Sequence, residues 1–384
     1  MSRHLEDIAI CGTIASVKFT CDAGELAAGL AAVTRALAPR TTLPVLGTVL
    51  MEAQGDRLHL AATNLEFGIQ KAVEAEIAED GSVAVPGRLL TEFTGAVGGE
   101  RLEIELRTPG QRLTLCSPSY ATEIHGVDPD EFPPVPAAGG GEPAVLPAAA
   151  LVDAITDTLP AASMDEARPL LTGIHVRCGG QRLTLTATDG YRVAERSITA
   201  ERCGSLTAIV PARTMGEVAR LFRNAVGHVE MTVSQQGSQV FFRGHESEVS
   251  SRVIDGVYPS TDQLIPTACT TRARVDAGEL NRRLRAVVPF AQQGANVVRV
   301  DVTSDSIVLS AAAAEIGSAR TELEADVSGP ETSIAFNARY LLDCLATAAD
   351  RIDLELQGPL APLLVRRPSR DDYLYLFMPV RYPR

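Results

Sequence analysis

Lysine is nearly absent from the 384-residue sequence: Lys18 and Lys71 are the only two. They follow Val17 and Gln70, so no G-x-x-x-x-G-K phosphate loop exists. Neither H-E-x-x-H nor G-x-S-x-G occurs, which removes two common hydrolase signatures. The six histidines are dispersed, and His245-Glu246 has no second histidine at metal-ligand spacing; the pair reads as a surface loop. Seven cysteines run from Cys11 to Cys344 without a C-x-x-C pair. That odd number argues against a disulfide framework and against structural zinc, and a reducing cytoplasm is the simplest setting. No apolar run reaches the roughly 18 residues that a membrane span needs. Met1 to Ser16 lack the basic-then-apolar design of a secretory leader. Positive charge is also in deficit, with 35 basic against 48 acidic residues and a net charge of −13. A nonspecific nucleic-acid coat and a basic membrane-surface protein are both excluded by that balance.

What remains is an ordinary globular composition, 45% hydrophobic and 22% charged. At about 150 residues per domain the length predicts two or three domains. Self-similarity decides the number. Asp22-Ala23-Gly24-Glu25-Leu26 recurs letter for letter as Asp276-Ala277-Gly278-Glu279-Leu280, an offset of 254. Half that offset points to residue 149, where Pro147-Ala148-Ala149-Ala150-Leu151 stands. Each anchor opens a helix-period apolar stripe: Leu26, Leu30, Val33, Leu37; Leu151, Ile155, Leu159; Leu280, Leu284, Val287. A second anchor, Val85-Pro86-Gly87-Arg88, Val210-Pro211-Ala212-Arg213 and Phe336-Asn337-Ala338-Arg339, keeps intervals of 125 and 126. It leads into short amphipathic helices predicted over Leu89 to Phe93, Met215 to Phe222 and Tyr340 to Leu345. A third anchor, Phe132-Pro133, Tyr258-Pro259 and Tyr382-Pro383, closes each copy.

Between the anchors the sequence alternates as strands do, as in Leu58 to Thr63 and Leu183 to Thr188, which precede the turn formers Asn64 and Asp189. Leu102 to Leu106, Val229 to Val233 and Ile352 to Leu356 follow the second helix in the same way. The fold class is therefore α+β: three repeated domains, each with two helices packed on antiparallel sheet. The expected boundaries are an N-terminal extension at 1–16 and domains at 17–137, 138–267 and 268–384. Gly139-Gly140-Gly141, in the Pro- and Ala-rich stretch between copies one and two, reads as a linker rather than a phosphate cradle. Asp128 and Asp130, the one carboxylate pair worth weighing for catalysis, sit in Pro/Asp loop chemistry.

Arg88, Arg213 and Arg339 each open a helix, where the macrodipole is positive and an exposed cation is unfavourable by about 0.3–1 kcal/mol. A single such arginine reads as a solvated side chain whose stem covers apolar surface. Three at one structural position point to a shared task, and repeated guanidiniums suit the backbone phosphates of a polyanion. Arg35, Arg282, Arg283 and Arg285 add to the polar helix faces, while Glu103, Glu105, Asp353 and Glu355 alternate along strands.

The three repeats, together with Arg40-Thr41-Thr42-Leu43-Pro44-Val45-Leu46, Ala187-Thr188-Asp189-Gly190-Tyr191-Arg192 and Met378-Pro379-Val380-Arg381, resemble the bacterial sliding clamp family, the beta subunit of DNA polymerase III. The resemblance implies a ring-shaped head-to-tail homodimer with helices lining the hole and acidic strand faces turned outward. It implies a processivity factor without catalysis or cofactor. The implied partners are double-stranded DNA, held without sequence readout, the polymerase III alpha subunit, the clamp loader and other proteins with a clamp-binding motif. A membrane is not among them.

The DNA contacts implied are Arg40 and Arg88, with Arg168 and Arg213 as their domain-two equivalents; Arg282 and Arg339 are assigned from the internal repeat. The implied peptide pocket takes Leu171, Thr188, Gly190, Tyr191, Arg192, Val193, Pro259, Leu264, Pro362, Leu376, Met378, Pro379, Val380 and Arg381. An adaptable lining with methionine suits varied peptides. The dimer seam would use Tyr120, Thr122 and Ile124 against Val288 and Phe290. Three positions depart from the family's pattern: Tyr382 where a leucine is expected, Gln263 where arginine is common, and Asp165 in place of a neutral polar residue. They motivate a second reading, a clamp paralogue whose modified pocket tolerates a pocket-binding inhibitor. Changing Arg88, Arg213 and Arg339 together to glutamate is expected to abolish loading onto nicked circular DNA. A loading assay by gel filtration checks this, with the dimer mass unchanged.

Overall fold

The computed structural model describes residues 17–38, 42–107, 110–136, 139, 141–293, 295–348 and 350–381. Among them are the helices α1 (Ala23–Val33), α2 (Gly87–Val97), α3 (Ala148–Thr158), α4 (Ala212–Leu221), α5 (Ala277–Gln292) and α6 (Ala338–Leu345). The duplicated D-A-G-E-L segment has a local cause. Asp22 caps α1 by accepting from Gly24 N and Glu25 N, and Asp276 caps α5 by accepting from Glu279 N. The middle copy replaces the aspartate with Pro147, which makes no side-chain cap. α2 and α4 likewise start after an uncapping proline, Pro86 and Pro211, and none of α2, α4 or α6 has an acid in its first turn. The repeated arginines therefore stand in first turns that carry no acid.

The helices pack in pairs, α1 on α2, α3 on α4 and α5 on α6, and the first of each pair also covers two neighbouring strands. α1 lies against Arg57–Thr63 and Phe67–Glu74, α3 against Arg182–Thr188 and Arg192–Thr199, and α5 against Ser306–Ala313 and Gly317–Glu324. Leu26, Leu30, Leu151, Ile155, Leu280 and Leu284 are fully buried in these layers. Each contributes about 1.5–3 kcal/mol of transfer free energy. Gly29 lets α1 approach its sheet, since a Cβ there would meet Val73 Cγ2 at 2.6 Å and Leu60 Cδ1 at 2.9 Å.

The short helix expected over Leu89 to Phe93 is longer, Gly87–Val97. Leu90, Thr94 and Val97 are buried, and Leu89 is half exposed beside Arg88. Helix phase is set by Gly87, whose missing Cβ admits Val49 and Leu37.

The described residues divide into two units, one from Met1–Ala137 with His245–Ser250, the other from Ala138–Gly244 with Ser251–Arg384. In the first, an antiparallel sheet runs Gly81–Pro86, Thr48–Gln54, Arg57–Thr63, Phe67–Glu74. A five-stranded sheet ends in Ala121–His125. In the second, a four-stranded sheet has Gly317–Glu324 and Thr332–Asn337 at its ends.

The second unit also holds a nine-stranded sheet in which repeats two and three are joined edge to edge. The join is the antiparallel pairing of Arg192–Thr199 with Arg370–Phe377, in register Val193↔Leu376, Ala194↔Tyr375 and Arg196↔Tyr373. Local periodicity carries no signal for this pairing.

Two further expectations are overturned. Asp353 is not on a wet acidic face: it is 6% exposed and accepts two bonds from Arg274, its register partner on Thr271–Asp276. The cysteines are not all free either. Cys178, at the end of Gly173–Gly179, is disulfide-bonded to Cys203, with the Cα atoms 6.3 Å apart, inside the usual range. A separation of 25 residues with no motif gives no hint of it in the sequence. No helix among the described residues is long and apolar enough to cross a membrane. Thiol titration of the denatured protein should find two more reactive cysteines after reduction than before; equal counts would refute the bond.

Candidate functional site

The A-T-D-G-Y-R segment folds into a tight turn at the end of Arg182–Thr188. Thr188 Oγ1 donates to the Arg192 carbonyl at 2.6 Å and accepts from Gly190 N at 3.0 Å. Asp189 Oδ1 accepts from Tyr191 N at 2.9 Å and Arg192 N at 3.1 Å, a side chain doing the work of a backbone turn. Gly190 lies at φ +91°, where a side chain is strained, and a Cβ would come to 3.3 Å from Arg168 Nη1. The same bonds recur at Thr63–Phe67. There Thr63 Oγ1 serves Leu65 N and the Phe67 carbonyl, and Asn64 takes Glu66 N and Phe67 N. Leu65 holds φ +75° without glycine's freedom. Repeated sequence has become repeated hydrogen bonding.

Tyr258 locks the turn from below. Its hydroxyl accepts from Thr188 N at 3.0 Å, and its ring stacks on His175 with centroids 4.9 Å apart. Burial pushes the phenol up to about 12, so it stays protonated at neutral pH. Burial, followed by the Arg177 charge, pulls His175 below the usual histidine range.

Val193 and Leu376 face each other across the joined strands and form an apolar cluster with Leu364 and Leu374. Met378 packs against that cluster, and its N donates to the Tyr191 carbonyl at 2.8 Å. Tyr191 is 60% exposed at the rim. The structure thus brings together Thr188, Gly190, Tyr191, Arg192, Val193, Leu376 and Met378. Leu171, Pro259, Leu264 and Pro362 lie on adjoining segments. Leu171 follows Arg168, which reaches the Asp189 carbonyl, and Pro259 follows Tyr258. Leu264 precedes Ile265, which packs on the cluster. Val380 and Arg381, beyond Pro379, line a neighbouring groove of about 660 Å³ with Leu360 and Ala335, and Val380 N donates to the Ala335 carbonyl at 2.7 Å.

Sequence reasoning missed Leu364, Leu374 and Ile265; the first two sit at positions that strand alternation could have flagged. It also missed Tyr340 and Asp343, which read as ordinary helix residues. Gln263 is exposed in the turn Asp262–Leu264, and Tyr382 lies outside the described residues.

The arginines divide by setting. Arg88, Arg213 and Arg339 are exposed in the first turns of α2, α4 and α6. Arg282 on α5 is exposed but forked onto Glu279. The hydrogen bonds from Arg282 and then Arg283 hold the Glu279 carboxyl below the usual carboxylate range. Arg168 is not on a helix: its Nε donates to Asp165 Oδ2 and its Nη1 to the Asp189 carbonyl, both at 3.0 Å. The Ala167 N–H, then Arg168, lower the Asp165 carboxyl. Arg40 lies outside the described residues. Asp128 caps the short turn Pro129–Glu131 through Asp130 N, a structural duty. Of the seam residues, Ile124 and Val288 are buried in their own cores, while Tyr120 is exposed and Thr122 and Phe290 are half-buried.

Three repeated helix-pair domains, two of them fused through one sheet with an apolar patch beside the junction, define a clamp-type architecture. Models of the DNA polymerase III beta subunit match in succession: its N-terminal domain at 17–136, central domain at 145–260 and C-terminal domain at 262–381. The beta sliding clamp of a Synechocystis species is 30% identical over 388 residues, covering 95% of this chain and 99% of that protein. That of Staphylococcus aureus is 29% identical, covering 90% and 94%. The sliding clamp structure from Bacillus subtilis matches with a TM-score of 0.89 at 26% identity, covering 96% of this chain and 100% of that one. The clamp from Pseudomonas aeruginosa bound to griselimycin matches with 0.89 at 25%, with the same coverage. The chain belongs to the bacterial beta sliding clamp family, the DNA polymerase III beta subunit; it is a DNA sliding clamp and processivity factor.

Tyr258→Phe removes the acceptor for the buried Thr188 N–H. A loss of about 1–2 kcal/mol of stability is expected, read as a lower urea midpoint with an unchanged slope.

Proposed function

We propose that two copies of this chain close head to tail around duplex DNA and tether partner proteins through the apolar site beside Tyr191. Unpaired sheet edges carry the reading. Ala121–His125 ends one sheet and Gly317–Glu324 ends another, and neither has an outer partner among the described residues. Open edges of this kind are an association hazard unless covered; a second copy covers both at once. Tyr120 and Thr122 border the first edge. Phe290 borders the second, 3.9 Å from where a Cβ on Gly317 would stand, next to the exposed Ile316. Heterologous pairing of two different edges closes into a ring when the rotation permits.

The helix-start arginines Arg88, Arg213 and Arg339, with Arg282, supply mobile phosphate contacts. Arg168, tied to the 188–192 turn, holds its place between the DNA and peptide roles. Phosphate contacts position a duplex without reading it, so weak contacts and topological retention combine into sliding. The net charge of −13 does not oppose this, because retention does not depend on overall attraction.

The peptide site suits short segments from the polymerase alpha subunit and the clamp loader. Val193, Leu376 and Met378 supply apolar area, and the 188–192 turn supplies a fixed rim. Light scattering should return about twice the 40.7 kDa chain mass. Protein loaded on nicked circles should be retained and then lost when the DNA is linearised. A monomer at micromolar concentration, or retention on linear ends, would sink the ring.

A further inference from the structure

We propose that Asp343 of α6 is a positioning residue for peptide capture, acting through Arg192. The inference rests on the pocket reading above and deepens it. Arg192 is the residue that links the turn to the third repeat. Its side chain is 8% exposed, so its charge must be neutralised where it stands. Asp189, three residues back, supplies one carboxylate, Oδ2, 3.0 Å from Nε. The other comes across the domain junction: Nη1 donates to Asp343 Oδ2 at 2.6 Å. Tyr340, one turn earlier on α6, lies with its ring centroid 4.5 Å from the guanidinium carbon. The Tyr375 hydroxyl lies 3.3 Å from Nη1. A planar guanidinium can meet all four at once; an ammonium could not.

The backbone on either side of Arg192 belongs to the apolar site. Tyr191 offers its carbonyl to Met378 N, and Val193 packs with Leu376 and Leu364. Successive strand residues point to opposite faces. Asp343 therefore grips the turn from the helix side, while the peptide would lie against the other. Of the site residues it holds Arg192, and its influence on the rest passes through that side chain.

Three other arginine–aspartate pairs cross the same junction: Arg196 with Asp372, Arg367 with Asp157 and Arg370 with Asp153. They lie farther along the sheet and make no contact with the turn. They serve as built-in controls, because they hold the junction without holding Arg192.

The test titrates a labelled peptide from the polymerase III alpha subunit, and griselimycin in parallel, against the intact protein. Asp343→Asn should weaken both by about tenfold, the scale of one lost charged hydrogen bond. Asp343→Glu should recover most of the affinity. Arg192→Lys, which keeps charge without the fork, should lose as much as Asp343→Asn. Asp372→Asn should lower the melting temperature while leaving both affinities within about twofold of the parent. Unchanged binding by Asp343→Asn, or an equal loss in Asp372→Asn, overturns the positioning role and leaves the pocket standing. A parent protein that binds neither probe overturns the pocket and the inference with it.

Discussion

The antiparallel pairing of Arg192–Thr199 with Arg370–Phe377 is the contact on which the functional half of the molecule depends. It turns two would-be edge strands into interior ones and merges two repeats into a single sheet. Register follows at once. Val193 meets Leu376 on the apolar face, and Arg192 and Arg196 meet Tyr375 and Asp372 on the other. Because a strand alternates sides, a slip of one residue would bring both guanidiniums into the Leu364 and Leu374 cluster. The arginine–aspartate pairs make that slip prohibitively unfavourable. Buried ion pairs are weak sources of net stability, and here their role is to select one alignment. Net stability comes from the leucine and isoleucine layers beneath the helices.

Much of the architecture was legible because it is written three times. Matching anchors spaced by 124 to 126 residues expose the repeat, and the duplicated D-A-G-E-L segment proves to be a helix cap. The turn at 188–192 was also legible, since Thr and Asp before Gly satisfy each other's hydrogen bonds over five residues. Contacts without a local signature were not legible. Asp353 reads as one tooth of an alternating strand until Arg274 arrives opposite it from a strand 79 residues away. Asp343 and Tyr340 read as helix surface until Arg192, 151 residues earlier than Asp343, folds against them. Which leucine of α2 is buried has no local signature either: Leu90 is buried and Leu89 half exposed, with Gly87 admitting Val49 and Leu37 at the helix start.

The family comparisons and the physical reading agree on a protein that does its work by shape and placement rather than by bond chemistry. The exposed helix-start arginines sit where local electrostatics disfavour them, and no acid in the same turn offsets the macrodipole. By contrast, Arg282 is offset by Glu279 and Arg168 by Asp165. The exposed guanidiniums at these helix starts are the ones placed to meet phosphate.

Guanidinium keeps its proton throughout the range in which cells live. The cationic half of the joint between the second and third repeats therefore keeps its charge, unlike an interface keyed by histidine. The joint is also too deeply knitted, by strand and by fork, to serve as a gate. If the assembly must part to admit a duplex, this joint is not where it opens.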